Sequence, residues 1–328
     1  MLAHVPGFVG PLTAAKFPGG QSNPTYRLDT PTRRYVMRRK PPGKLLPGAH
    51  AVDREYRIIS ALGAQGFPVP RTYGHCTDTS VIGTEFFIME LVEGRIFWDP
   101  AFRELPKTAR ADYFSAMNRT IAQLHRIDYA AAGLADYGKP GNYFARQIAR
   151  WSRAYREDTL AGPVTGMDAL CDWLPANIPD DGDETSIVHG DFRCDNMIFH
   201  PTEPRVIAVL DWELSTLGHP LADFTYHLMM YRTPQGLPAG MAGLDPVELG
   251  LPTEAEYVAE YCRHTARPGI PQLDFYIAFN LFRFTAIIHG IKGRLLRGNA
   301  SSAQAQTMVG QLDELGACAW AQAKRAGA

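Results

Sequence analysis

Asp191, Asn196, Asp211 and Glu213 are oxygen-bearing side chains gathered within Ile187–Glu213, which reads I-V-H-G-D-F-R-C-D-N-M-I-F-H-P-T-E-P-R-V-I-A-V-L-D-W-E. A short apolar run leads into a polar loop, and two further apolar runs flank His-Pro-Thr-Glu-Pro, a pattern of loop followed by hairpin. If Met197–Phe199 and Val206–Leu210 pair antiparallel about a turn near Glu203 and Pro204, Asn196 comes to lie opposite Asp211. Asn196 and Asp211 are hard donors suited to Mg²⁺, and Glu213, one pleat further on, points the same way as Asp211. Asp191, earlier on the loop, is left to handle a proton.

The elements before this stretch are β-rich. Phe17–Leu28 (F-P-G-G-Q-S-N-P-T-Y-R-L) contains a turn in which Gly19 and Gly20 allow close backbone approach and Ser22 and Asn23 add small polar groups. Such a turn can cover phosphates, although an ordinary hairpin turn has the same composition. Arg34–Lys40 (R-Y-V-M-R-R-K) is β-branched and aromatic enough for a strand, with Val36, Arg38 and Lys40 on one face. Ala49–Ala64 has helical spacing at Val52, Tyr56, Ile59 and Leu62 or Gly63. Glu55 borders that stripe, so it either turns inward to a basic partner or pairs with Lys or Arg in solvent. Thr72–Cys76 and Phe86–Leu91 supply two more strands. Val92-Glu-Gly-Arg95 then suits a hinge, which places a domain boundary near residue 94.

Beyond residue 94 the pattern is mainly helical. Lys107–Ile127, Tyr143–Asp158, Thr253–Thr265, Gln272–Leu296 and Ser301–Lys324 read as helices, with Asp223 standing where a helix N-cap belongs. His125 ends the first of these as a capping or packing residue. Trp98, Tyr143, Arg146, Trp151, Tyr155, Arg283 and His289 either line an acceptor site or belong to the core.

At 328 residues the chain suits two lobes. A formal net charge of -1 gives no general field for nucleic acid or an anionic membrane, so any anion must be bound locally. The five cysteines are scattered with no C-x-x-C pair, which fits reduced thiols in a cytoplasmic protein, and Cys194 reads as a packed neighbour. No signal peptide or membrane span is expected. The sequence leaves the oligomeric state open.

Taken together, His189-Gly-Asp191-x-x-x-x-Asn196, the later Asp211-Trp-Glu213 and the strand–hinge order resemble the aminoglycoside phosphotransferase and choline kinase family. H-G-D-F-R-C-D-N and D-W-E-L-S-T-L-G-H-P-L-A-D-F are most similar to the phosphotransferase domain that some eukaryotic proteins carry fused to an acyl-CoA dehydrogenase. The resemblance spans roughly Phe17 to Leu296. It implies an α+β, two-lobed protein-kinase-like fold: a small β-rich N-lobe (1–94) that binds nucleotide, and a larger, mainly helical C-lobe (95–328) with the catalytic loop and substrate site.

The implied activity is Mg²⁺-dependent transfer of the γ-phosphate of ATP or GTP to a hydroxyl of a small metabolite, with a hydroxyacyl compound as first guess. The same resemblance has Asp191 orient and deprotonate the acceptor hydroxyl, and Arg193 meet a phosphate or an anionic substrate group. It has Asn196 and Asp211 hold Mg²⁺, with Glu213 as a supporting or second-metal carboxylate. Gly20, Ser22 and Asn23 would cover the phosphates, and backbone at Glu90 and Val92 would read the adenine edge. Arg38, with Lys40 as a same-face competitor, takes the strand position where protein kinases place Lys, paired with Glu55. A catalytically weak nucleotide-binding protein and a Mg²⁺-dependent hydrolase are the alternatives. Whether the protein works with a separate acyl-CoA dehydrogenase is not legible.

Overall fold

The computed structural model describes residues 1, 5–17, 23–41, 50–180, 184–237, 240–298 and 303–328. In chain order it begins with β1 (Thr13–Lys16), β2 (Thr25–Asp29), β3 (Arg34–Arg39), α1 (Val52–Ala64), β4 (Thr72–Cys76) and β5 (Phe86–Glu90). There follow α2 (Arg110–His125), α3 (Tyr143–Glu157), α4 (Met167–Ala176), β6 (Ser186–Val188), β7 (Met197–Phe199), β8 (Val206–Val209) and β9 (Thr216–Gly218). The chain closes with α5 (Pro220–Leu228), α6 (Pro246–Leu249), α7 (Glu254–Thr265), α8 (Leu273–Leu296), α9 (Ala303–Gly310) and α10 (Leu312–Arg325). The fold is mixed α+β, with a β-rich N-terminal sheet and a helical C-terminal part.

The chain divides into two compact units. The first comprises Met1–Ile96, Ile127–Gly138 and Asp195–Ser215, and the second comprises Phe97–Arg126, Lys139–Cys194 and Thr216–Ala328. In the first unit an antiparallel sheet runs in the order β1-β2-β3-β5-β4, with Arg38 registered between Thr25 and Phe87. Helix α1 buries Val52, Glu55, Ile58, Ile59 and Leu62, an i, i+3, i+7 face that carries the one carboxylate inward with the aliphatics. Strands β7 and β8 form a hairpin, and Arg95 bridges to Phe199 through Arg95 N–H to Phe199 O (2.9 Å) and the reciprocal bond (2.8 Å). Gly94 is required there, because a Cβ would overlap the Phe199 carbonyl and the Ile198 side chain.

The second unit contains the short β6–β9 pair and the helices α2 to α10. Helix α7 starts with a full capping box, Thr253 and Glu256 each satisfying the other's backbone amide. The expected single helix Ser301–Lys324 is two helices, α9 and α10, broken at Gln311 after Gly310; Ser301 itself lies outside the described residues. Among the described residues no helix is long and apolar enough to cross a membrane.

Candidate active site

In the first unit, Val36, Ile59, Met89, Leu91, Ile198 and Val209 line an apolar cavity of about 340 Å³ whose polar wall carries Arg38, Glu55 and Asp211. Glu90 and Val92 border the same cavity at the end of β5. The Glu90 amide donates to the Arg71 carbonyl at 2.8 Å.

Arg38 joins the acidic groups of this wall. Its Nε lies 2.8 Å from Glu55 Oε2, an ion pair off the line of a hydrogen bond, while Nη2 donates to Asp211 Oδ1 at 2.8 Å and sits 3.8 Å from Glu213 Oε2. A planar fork reaches two carboxylates at once; an ammonium could not hold the same pair of positions. Lys40, the same-face competitor, is instead paired with Glu85 and lies 3.7 Å from Asp53. Glu55 is 2% exposed and accepts from Asn23 Nδ2 at 2.7 Å, with Asn23 Oδ1 in turn 3.1 Å from His50 Nδ1. A buried carboxylate needs donors, and this demand turns the Asn23 side chain toward Glu55. That differs from the phosphate-covering role expected for its side chain. Gly20 and Ser22 lie outside the described residues.

The hairpin register differs from the even pleat expected of it. Met197 pairs with Val209, and Leu210 N–H donates to Asn196 O at 2.8 Å, so Asn196 faces Leu210 and Asp211 stands one residue beyond. An irregularity between Ile198 and Phe199 shifts the ladder. Asp211 then takes a left-handed backbone (φ 61°), which Asp tolerates better than most residues, and the chain passes into a tight turn at Trp212–Leu214. Glu213 therefore reaches Arg38 from a turn and not from a strand. Trp212 anchors the turn: it is buried, donates Nε1–H to Val209 O at 3.0 Å, and meets Phe67 edge to face at 5.9 Å.

Three carboxylates thus meet one guanidinium, leaving negative charge in excess. Burial pushes the Glu55 carboxyl up to about 7; Arg38 opposes the rise, and the Asp211 and Glu213 charges add to it. Such an excess on hard oxygen donors is what a divalent cation neutralises, so Asp211, Glu213 and the Asn196 amide oxygen fit Mg²⁺. Among the described residues no group of three or more His, Cys, Asp and Glu forms a protein-only cage.

In the second unit the loop residues His189, Gly190 and Asp191 follow β6. Gly190 adopts φ 84°, where a side chain would be strained. Asp223 is not the N-cap of α5, because His219 takes that place: its Nδ1 accepts from Leu221 N–H at 3.2 Å, with Pro220 in the first turn. Asp223 lies one turn further in, 2% exposed, and accepts from His189 N–H (2.7 Å) and Gly190 N–H (2.8 Å). His125 Nε2 is 3.3 Å from the same carboxylate, and its Nδ1 is 2.7 Å from the Tyr261 hydroxyl. Burial opposes ionisation of Asp223, but the contacts with His125 and His189 prevail and hold its carboxyl below the ordinary carboxylate range.

Asp191 accepts from the Tyr226 hydroxyl at 2.6 Å through Oδ1, and Arg193 Nε lies 3.9 Å from the same oxygen. Its amide donates to His189 Nδ1 at 3.2 Å. Arg283 donates to Gly190 O at 2.9 Å and is buried, so it holds the loop where an acceptor-lining role was one expectation. Tyr143, Tyr155 and His289 are buried as core, whereas Trp98 is 76% exposed. Sequence reasoning missed Tyr226 and the loop-holding role of Asp223. The available signal was two polar residues three apart, one face of a helix, inside the apolar run L-A-D-F-T-Y-H-L-M-M.

Residues 13–276 match the sequence profile of the phosphotransferase enzyme family. Acyl-CoA dehydrogenase family member 10 of Mus musculus is 42% identical over 320 residues, covering 97% of this chain and 30% of that protein. The chain thus spans less than a third of the length of that relative. A crystal structure from Ralstonia eutropha JMP134, of a protein provisionally named an aminoglycoside phosphotransferase, superposes with a TM-score of 0.90 at 49% identity, covering 99% of this chain and 96% of the other. A thermostable mutant of the aminoglycoside phosphotransferase APH(4)-Ia, solved with ADP and hygromycin B, shares the fold at 14% identity, with a TM-score of 0.60 over 93% of this chain and 94% of that one. With the profile matched across most of its length and a solved relative overlaying nearly all of it, the chain belongs to the phosphotransferase enzyme family.

Proposed function

We propose that the protein transfers the γ-phosphoryl group of ATP or GTP to a hydroxyl of a small metabolite, and that a hydroxyacyl compound is its acceptor. The observation that carries this reading is the apolar cavity of the first unit with Arg38, Glu55 and Asp211 on its polar wall. An apolar slot with a backbone edge suits a purine, and a cation held between carboxylates at one end suits its phosphates. ADP in the APH(4)-Ia complex supports ATP as co-substrate. The acyl-CoA dehydrogenase name of the Mus musculus relative supports acyl chemistry for the acceptor.

Residues 1–94 are assigned nucleotide binding, and residues 95–328 the catalytic loop and acceptor site. The Glu90 carbonyl and the Val92 amide meet the base, Arg38 contacts the phosphates, and Glu55 holds Arg38. Asp211, Glu213 and Asn196 would hold Mg²⁺, which when bound neutralises phosphate charge. Asp191 orients the acceptor hydroxyl and takes its proton; the acceptor oxygen bonds to the γ-phosphorus as the bond to the β–γ bridging oxygen breaks, and the nucleoside diphosphate leaves. Arg193 steadies the transferring phosphoryl group or an acceptor anion. The cytoplasm is the proposed location, since cysteines such as Cys171 and Cys262 are buried thiols and no disulfide is present among the described residues.

Thermal unfolding with and without MgATP tests the reading: at a hundredfold excess over Kd, binding stabilises by about 2.7 kcal/mol, a rise of several degrees in Tm. A protein that neither bound MgATP nor was stabilised by MgGTP would overturn it.

A further inference from the structure

Asp191 lies on a loop whose backbone is pinned on both sides of the preceding residue, the Gly190 amide by Asp223 and the Gly190 carbonyl by Arg283. These bonds fix where the main chain runs, but they leave the Asp191 side-chain torsions to be set by other groups. Tyr226 reaches that side chain directly, its hydroxyl donating to Asp191 Oδ1 at 2.6 Å, the short range of a charge-assisted O–H···O bond. We propose that Tyr226 is a positioning residue for phosphoryl transfer: it holds the Asp191 carboxylate in the rotamer that receives the acceptor proton.

The surroundings of Tyr226 suit this task. It lies on α5 three residues after Asp223, so one helix face holds both the backbone of the loop and its reactive side chain. Tyr226 is 6% exposed, and the Arg283 guanidinium lies 5.5 Å from the centroid of its ring, so the ring has little room to swing. Burial first, and then the Asp191 charge, push the phenol well above its ordinary range, so it stays protonated and remains a donor throughout the working pH range. A donor that never titrates there can orient a carboxylate without competing for the proton that the carboxylate must accept. Arg193, partly exposed, brings its Nε to 3.9 Å from the same oxygen, an ion pair that adds charge at the carboxylate.

The inference rests on the phosphotransfer reading of Asp191, so its test separates the two. ADP release from MgATP is measured with water and with 3-hydroxybutyryl-coenzyme A as acceptors, for wild type, Tyr226→Phe, Asp191→Asn and the double variant. Tyr226→Phe keeps the ring and loses only the hydroxyl. Its kcat is expected to fall roughly tenfold to a hundredfold with KM for MgATP unchanged, as misplacement of a reacting group predicts. In the Asp191→Asn background the same change is expected to have no further effect on the residual rate. Wild-type kcat in Tyr226→Phe, or an equal loss in both backgrounds, would overturn the positioning role. Absence of ADP release from the wild-type protein under every condition would overturn the phosphotransfer reading and this inference with it.

Discussion

Asp223→Asn tests whether one buried carboxylate holds the loop that carries Asp191. Asp223 accepts the His189 and Gly190 amides at 2.7 and 2.8 Å, each a charge-assisted bond of about 1.5–3 kcal/mol. The contact with His125 is longer, 3.3 Å, and contributes less. Asparagine keeps the shape and one carbonyl oxygen, but it turns an NH2 toward the other amide. One bond is lost and one buried N–H faces a donor, so opening this loop should become easier by about 3 kcal/mol. At about 1.4 kcal/mol per factor of ten, amide exchange at His189 and Gly190 should quicken about 100-fold. Hydrogen–deuterium exchange read by mass spectrometry on a peptide covering residues 186–194 measures this directly. Unchanged exchange in that peptide, or the same acceleration in α7 and α8, would refute the claim that Asp223 acts on the loop locally.

Two other outcomes follow from the same geometry. Arg38→Lys should raise KM for MgATP roughly tenfold with a smaller change in kcat, because one ammonium cannot bridge Glu55 and Asp211; steady-state kinetics with an unaltered KM would remove Arg38 from the nucleotide site. His227 is buried, 2.8 Å from the Tyr257 hydroxyl, and burial lowers it from 6.5 to about 4, so it is neutral in the folded protein. Its contribution to stability is full above pH 6.5 and is lost as pH falls toward 4, at about 1.4 kcal/mol per pH unit. Thermal midpoints between pH 7.5 and 5 should therefore drop less in His227→Gln than in wild type, and equal drops would exclude His227 as the source.

Much of the frame was legible because local pattern and tertiary demand agree. Strand β3 follows from side-chain periodicity, as do Val52, Ile59 and Leu62 on the inward face of α1, whereas the meeting of Arg38 and Glu55 was left undecided by spacing and appears only in the folded chain. The His189–Asp191 loop was legible as a motif. What escaped were the places where the chain departs from an ideal period. The irregular β7–β8 ladder and the left-handed Asp211 moved the Asp211 carboxylate by one register position and put Glu213 on a turn. Asp223 looked like a helix cap because Asp favours caps, but its carboxylate is claimed by two amides of a loop more than 30 residues earlier in the chain, a partner no local pattern reveals. Tyr226 was hidden for the same reason: within an apolar run a tyrosine reads as core, and only the folded chain shows that its hydroxyl meets Asp191.

The most direct test of the account is product formation. Wild-type protein and Asp191→Asn are each incubated with MgATP and a panel of hydroxylated metabolites that includes hydroxyacyl-coenzyme A compounds, and phosphorylated products are identified by mass spectrometry. The account predicts a phosphomonoester formed by wild type, with turnover lower by roughly 100-fold or more in Asp191→Asn while MgATP still raises the Tm of both. Equal turnover by the two proteins, or MgATP binding with no phosphorylated product from wild type, would contradict it.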